Sequence, residues 1–207
     1  FNGIKLTGYN TSNYATIYTS DTQFNNYNTV RLNPTNANVD AGYLVAAPSN
    51  PTSKTLICVY YLEAKNTNTD NLLFGLGPAT TPRFYLFGRT PVNTNYETYN
   101  SQVGGPFNTG TTYVASTKQF NMVTYDRPNG GNKFYMDTGN TFNTLVSTLN
   151  APANGNYTVG NICLGTYLGG FGRTPVMRVL EFIMINGIPS STELSNYSTY
   201  LTNKYNL

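Results

Sequence analysis

Apolar residues recur along this chain in short bursts rather than in long periodic runs. The run TLICVYYLE (55–63) is β-branched and aromatic, and NPTSK and NTNTDN bound it. Nine residues without a polar face are too few for a helix and predict a strand buried on both sides. NLLFGLG, RFYLFG and TTYVAS follow as further short strands separated by turn residues. QFNMVTYDRPNGGNKFYMDTG (119–139) holds two strand patterns around RPNGG, whose Pro and Gly suit a hairpin turn. NYTVGNICLG and VMRVLEFIMIN (176–186) supply the later strands, and ATIYT and NTVRL the earlier ones.

One helix is predicted, over SSTELSNYSTYLTNKY. Ser190 and Glu193 stand at capping-box spacing, and Leu194, Tyr197, Leu201 and Tyr205 recur on one face. Many short strands followed by one terminal helix predict an all-β fold: a two-sheet antiparallel β-sandwich with a short C-terminal helix, residues 1–207 forming one domain.

Two segments carry a family resemblance. In QFNMVTYDRPNGGNKFYMDTG, Phe120 precedes an alternating strand, Thr124–Asp126 form the turn, and Phe134–Met136 lead to Asp137 and Gly139. EFIMINGIPSSTELSNYSTYLTNKYNL (181–207) has a Glu, an apolar strand ending in Asn, a loop and a capped helix, with NICLG upstream. Both are similar to the concanavalin A-like (laminin G-like) lectin/glucanase superfamily. The resemblance implies a jelly roll, often with a sugar- or receptor-binding role. Phe120 stands where that superfamily often has Trp, and this chain has no Trp.

Composition narrows the chemistry. Charged residues are 10% of the chain, against roughly 25% in an average soluble domain. Polarity comes from Asn, Thr, Ser and 18 Tyr, which favours an extracellular or virion-surface setting. The net charge of +3 arises from scattered residues, with no basic cluster to bind nucleic acid, and no apolar run is long enough to insert into a membrane. There is no His, so Ser-His-Asp and Cys-His catalysis and His-ligated metals are excluded.

Glycoside hydrolysis needs two carboxyls about 5–9.5 Å apart. The nine acids never fall two or four residues apart on a strand, and Asp126 with Asp137 is the one pair the hairpin offers. No enzymatic activity is expected. Asn36, Asn38 and Asp40, and likewise Asn66, Asn68 and Asp70, place oxygen donors at alternate positions, where calcium is the one cofactor to consider. Each loop holds a single carboxylate, so a solvated turn is the default. Cys58 and Cys163 lie in apolar runs, as two buried thiols or as one disulfide.

FGRTPV occurs at 87–92 and again at 171–176, with unrelated flanks. Gly, the extended residue before Pro, and Pro itself suit a loop at a strand end, with Arg89 and Arg173 at the apices. These arginines, with Tyr96 and Tyr99 in the polar stretch NTNYETYN, are the candidate ligand contacts. The function expected is non-catalytic recognition of a glycan or surface receptor, on a virion surface, fibre or secreted assembly. The alternative is a structural or decoration subunit of a capsid or extracellular filament that self-assembles; a glycoside hydrolase ranks last.

Overall fold

The computed structural model describes residues 7–8, 16–33, 43–46, 53–65, 70–76, 84–89, 95–100, 104–112, 114–126, 131–136, 145–150, 161–165 and 174–205. Fourteen strands are described: β1 (Thr7–Gly8), β2 (Thr16–Asp21), β3 (Tyr27–Leu32), β4 (Tyr43–Ala46), β5 (Ser53–Ala64), β6 (Asp70–Leu76), β7 (Phe84–Arg89), β8 (Asn95–Asn100), β9 (Gly104–Thr112), β10 (Thr117–Asp126), β11 (Gly131–Met136), β12 (Leu145–Asn150), β13 (Asn161–Leu164) and β14 (Val176–Asn186). A 3-10 turn spans Thr22–Phe24, and helix α1 spans Ser191–Tyr205.

The strands form two seven-stranded sheets, ordered β1-β4-β13-β6-β7-β8-β9 and β12-β11-β10-β5-β14-β3-β2. Every described pairing is antiparallel. The predicted antiparallel sandwich with a terminal helix is the architecture found.

Strand β5 shows why the sheets stack. Its side chains alternate between faces. Leu56, Cys58, Tyr60 and Leu62 join Leu73, Phe74, Tyr96, Ile162 and Leu164 of the other sheet in the central core. Ile57 and Val59 point the opposite way, against Leu194, Leu201 and Tyr205 of α1. Hence β5 is apolar on both faces: one faces a sheet and the other a helix.

Strand β14 lies beside β5 and changes phase halfway. Met177 and Val179 face the central core, yet so do Phe182 and Met184, while Leu180, Ile183 and Ile185 pack under the helix. A register shift between Val179 and Glu181 makes this possible. One extra residue in a strand reverses the alternation after it.

The helix starts as its capping box dictates. The Ser190 N–H donates to Glu193 Oε2 at 2.8 Å, and the Glu193 N–H donates back to Ser190 Oγ at 3.3 Å. The hydrogen bonds hold the Glu193 carboxyl below its ordinary value, the Ser190 backbone N–H first and its hydroxyl second. Leu194, Ser198, Leu201 and Tyr205 form the buried stripe.

Some expectations are corrected here. The described residues of TTYVAS do not make a strand of their own: Thr111 and Thr112 end β9, and Val114–Ser116 turn into β10 with Ser116 at φ 61°. The stretch NYETYN, read as polar, is strand β8. The cysteines are both buried thiols, so no disulfide joins them. Cys58 faces the central core from β5. Cys163 alternates with the core residues Ile162 and Leu164 of β13, and therefore points away from the space between the sheets.

Candidate recognition face

The outer face of the second sheet carries the described ion pairs. Two clusters lie there, side by side.

The first is a closed ion network. Arg178 of β14 stands directly opposite Arg31 of β3, an arrangement of like charges that is unfavourable alone. Glu63, from β5 on the other side of β14, reconciles them. Its Oε2 accepts Arg31 Nε at 2.9 Å and Arg31 Nη2, and its Oε1 accepts Arg178 Nε. Arg178 Nη1 reaches Asp21 Oδ2 at 2.7 Å, which also accepts Thr29 Oγ1 at 3.0 Å. The Arg178 guanidinium sits 4.8 Å from the Tyr18 ring centre. Burial by itself would lower the Arg178 pKa, but the hydrogen bonds to Asp21 and Glu63 raise it. Among the described residues two cations and two anions balance, so this network serves the fold.

The second cluster is built where the β2–β3 connection meets the end of α1. Asn25 and Asn26 both adopt the left-handed conformation, at φ 51° and 62°, which Asn tolerates better than most residues. The turn lets Asn25 Nδ2 donate to the Lys204 carbonyl at 3.2 Å, satisfying one of the acceptors a helix end leaves open. It also places Tyr27 edge-on to Tyr205, with ring centres 5.3 Å apart.

Lys204 is the hub. Its Nζ donates to Glu181 Oε2 at 3.0 Å and to the Tyr200 hydroxyl at 2.7 Å. It lies 5.6 Å from the Tyr27 ring centre and 5.1 Å from those of Tyr200 and Tyr205, within cation–π range. The Tyr205 hydroxyl donates to the same Glu181 oxygen at 2.7 Å. Burial alone would lower the Lys204 pKa; hydrogen bonds to Tyr200, Glu181 and Tyr205 outweigh it and raise the value. Burial first, then the bond to Glu181, keeps the Tyr205 phenol protonated beyond its ordinary range. Although fixed at the hub, Tyr27 is 42% and Tyr200 48% exposed. Two aromatic side chains that share the Lys204 ammonium are thus partly open to solvent.

The sequence-predicted contacts fare differently. Tyr96 is a correction: it is wholly buried in the central core, its hydroxyl 3.2 Å from that of Tyr60. A ligand cannot reach it. Arg89 is not at a loop apex; it is the last residue of β7, opposite Asp70. Tyr99 lies within β8 opposite Tyr85, and its side chain is outside the described residues, as is the whole of Arg173. In the second FGRTPV copy, Pro175 immediately precedes β14, the strand-entrance role expected of it.

Asn36, Asn38, Asp40, Asn66 and Asn68 lie outside the described residues, and Asp70 opens strand β6 rather than closing a loop. Among the described residues no three His, Cys, Asp or Glu side chains gather as a metal would require. Of the pair Asp126 and Asp137, Asp126 ends β10 opposite Gly131, and Asp137 lies outside the described residues.

Sequence reasoning missed Tyr200, Lys204 and Glu181 as partners. The available signals were weak: Tyr200 and Lys204 stand four apart on α1, and Glu181 is a lone carboxylate within an apolar run.

The chain matches no protein-family model and no curated protein. Solved structures do match. The binding domain of Paraclostridial Mosquitocidal Protein 1 superposes with TM-score 0.68 at 12% identity, covering 98% of this chain and 48% of that one. A structure of botulinum neurotoxin type C, whose cell entry depends upon interaction with two ganglioside molecules, gives 0.64 at 9% identity, covering 96% and 47%. Trypanosoma rangeli sialidase in complex with 2,3-difluorosialic acid gives 0.62 at 13% identity, covering 84% and 27%. The likeness is one of fold. This chain spans less than half the length of each of these neighbours. No helix among the described residues is long and apolar enough to cross a membrane.

Proposed function

We propose that residues 1–207 act as one concanavalin A-like recognition unit that binds a glycan, free or on a surface receptor, without transforming it. The observation that carries this reading is the Tyr27–Tyr200 pair, exposed to solvent yet fixed on Lys204. A phenol ring offers a flat apolar face and loses little entropy on binding. Asn25, Asn26 and Asn28 beside Tyr27 are exposed, and the amide capacity left beyond the Asn25–Lys204 and Ser20–Asn28 bonds can serve hydroxyl groups. Arg89, Tyr99 and Arg173 remain proposed polar contacts with the partner, tested by the double replacement Arg89→Ala/Arg173→Ala. The structural neighbours described as binding domains support a binding role, and the Asn- and Tyr-rich, weakly charged composition supports an extracellular or virion-surface setting.

A glycan array is the test, run on the wild type and Tyr200→Ala, with melting temperature as the control for folding. Binding by the wild type and its loss in a variant of unchanged stability are the expected results. An array with no bound glycan sinks the proposal. One observation favours assembly instead: Ile17, on edge strand β2, is 69% exposed. Sedimentation separates the readings, since self-association abolished by Ile17→Lys, without sugar binding, identifies a structural subunit.

A further inference from the structure

The ligand class at this face follows from where its charges are already committed. Lys204 is its cation, and the ammonium has three N–H groups. One is bonded to Glu181, a second to the Tyr200 hydroxyl, and the tyrosine rings surround the remainder. The Lys204 and Glu181 side chains are only 22% and 14% exposed, so water weakens their pairing little. Glu181 reaches this position because the β14 register shift turns it outward, beneath the helix. An arriving carboxylate or sulfate would therefore lose its hydration without gaining an uncompensated positive charge. It would also approach a carboxylate of like sign. A neutral sugar has no such loss, because it stacks on the rings and bonds through hydroxyl groups.

We propose that the Tyr27–Tyr200 face selects neutral over acidic saccharides, Glu181 having already cancelled the charge of Lys204. The inference rests on the glycan-binding reading above. Two consequences follow. Binding is insensitive to ionic strength, since no net charge is exchanged. Glu181→Gln, which keeps a hydrogen-bonding group beside Lys204 and Tyr205 but removes the anion, converts the face to accept acidic sugars.

The experiment measures affinity for matched neutral, sialylated and sulfated forms of one oligosaccharide, at low and high salt, with wild type, Glu181→Gln and Tyr200→Ala. Expected is a preference for the neutral form of about tenfold or more, the scale of a hydrogen bond to a charged group. That preference should shrink or invert in Glu181→Gln. Wild-type binding of the acidic forms as tightly as the neutral one, lost in Tyr200→Ala, overturns the selectivity while sparing the glycan-binding reading. Failure of every saccharide to bind overturns both. Should Glu181→Gln fail to fold, the wild-type comparison and its salt dependence decide by themselves.

Discussion

Glu63 holds two opposed arginines together, and removing it should be costly. In Glu63→Ala, Arg31 and Arg178 still face one another across β3 and β14. Arg178 keeps Asp21, whereas among the described residues Arg31 keeps only the Tyr18 hydroxyl at 3.5 Å. Two guanidiniums roughly 6 Å apart repel by about 3 kcal/mol at an effective dielectric constant of 20. Breaking a fully buried pair costs about 3–5 kcal/mol. The arginine side chains are 23% and 18% exposed, so they can swing partly into water and the cost falls to the lower end of that range or somewhat below it. We expect a loss of about 2–4 kcal/mol, or about 5–12 °C in melting temperature for a chain of this size. The assay is urea unfolding followed by far-UV circular dichroism and by tyrosine fluorescence, no Trp being present. The midpoint should fall with the slope unchanged. Repeating Glu63→Ala in an Arg31→Met background should recover at least about 1 kcal/mol, because the facing cation is gone. A loss under about 0.5 kcal/mol, or an equal loss in both backgrounds, would show the network to be no more than solvated surface pairs.

Leu201→Ala, at a fully buried position of α1, should cost about 2–4 kcal/mol by urea titration through cavity formation beneath the helix. Tyr60→Phe deletes the hydroxyl contact with Tyr96 across the two sheets and should cost about 1 kcal/mol in the same assay. The Glu193 carboxyl is held below its ordinary value of 4.5, so its contribution is complete above that pH and is lost as the pH falls through the lower, folded value. Thermal melts from pH 7 to pH 2 should therefore show a shallower acid limb in Glu193→Gln than in wild type.

What could be read from the sequence was what neighbouring residues decide among themselves. The capping box needs only Ser190 and Glu193, and the stripe Leu194, Tyr197, Leu201 and Tyr205 needs only the helical period; both lie where expected. The 119–139 hairpin and the doubly buried β5 are local in the same sense. Strand β8 was illegible because its letters, NYETYN, are polar, and the burial of Tyr96 depends on a distant partner, Tyr60, 36 residues away. Strand β9 contains Gly104, Gly105, Pro106 and Gly110. Such letters read as loop, and Pro is tolerated in β9 because it is an edge strand.

The recognition face was hidden for a stricter reason. VMRVLEFIMIN is apolar at most positions, so a one-residue slip in its alternation leaves no mark on the pattern. Yet that slip decides which side of the sheet Glu181 occupies. Without it, strict alternation from Met177 and Val179 would aim residue 181 into the central core, where a carboxylate would have to be buried among Tyr60, Phe74 and their neighbours. With it, Glu181 meets Lys204 and Tyr205 from a helix that begins ten residues later, and Tyr27 closes the group from the other end of the chain. A lone acid in an apolar strand is thus itself the clue: the strand must either bulge or bring the acid a partner, and β14 does both.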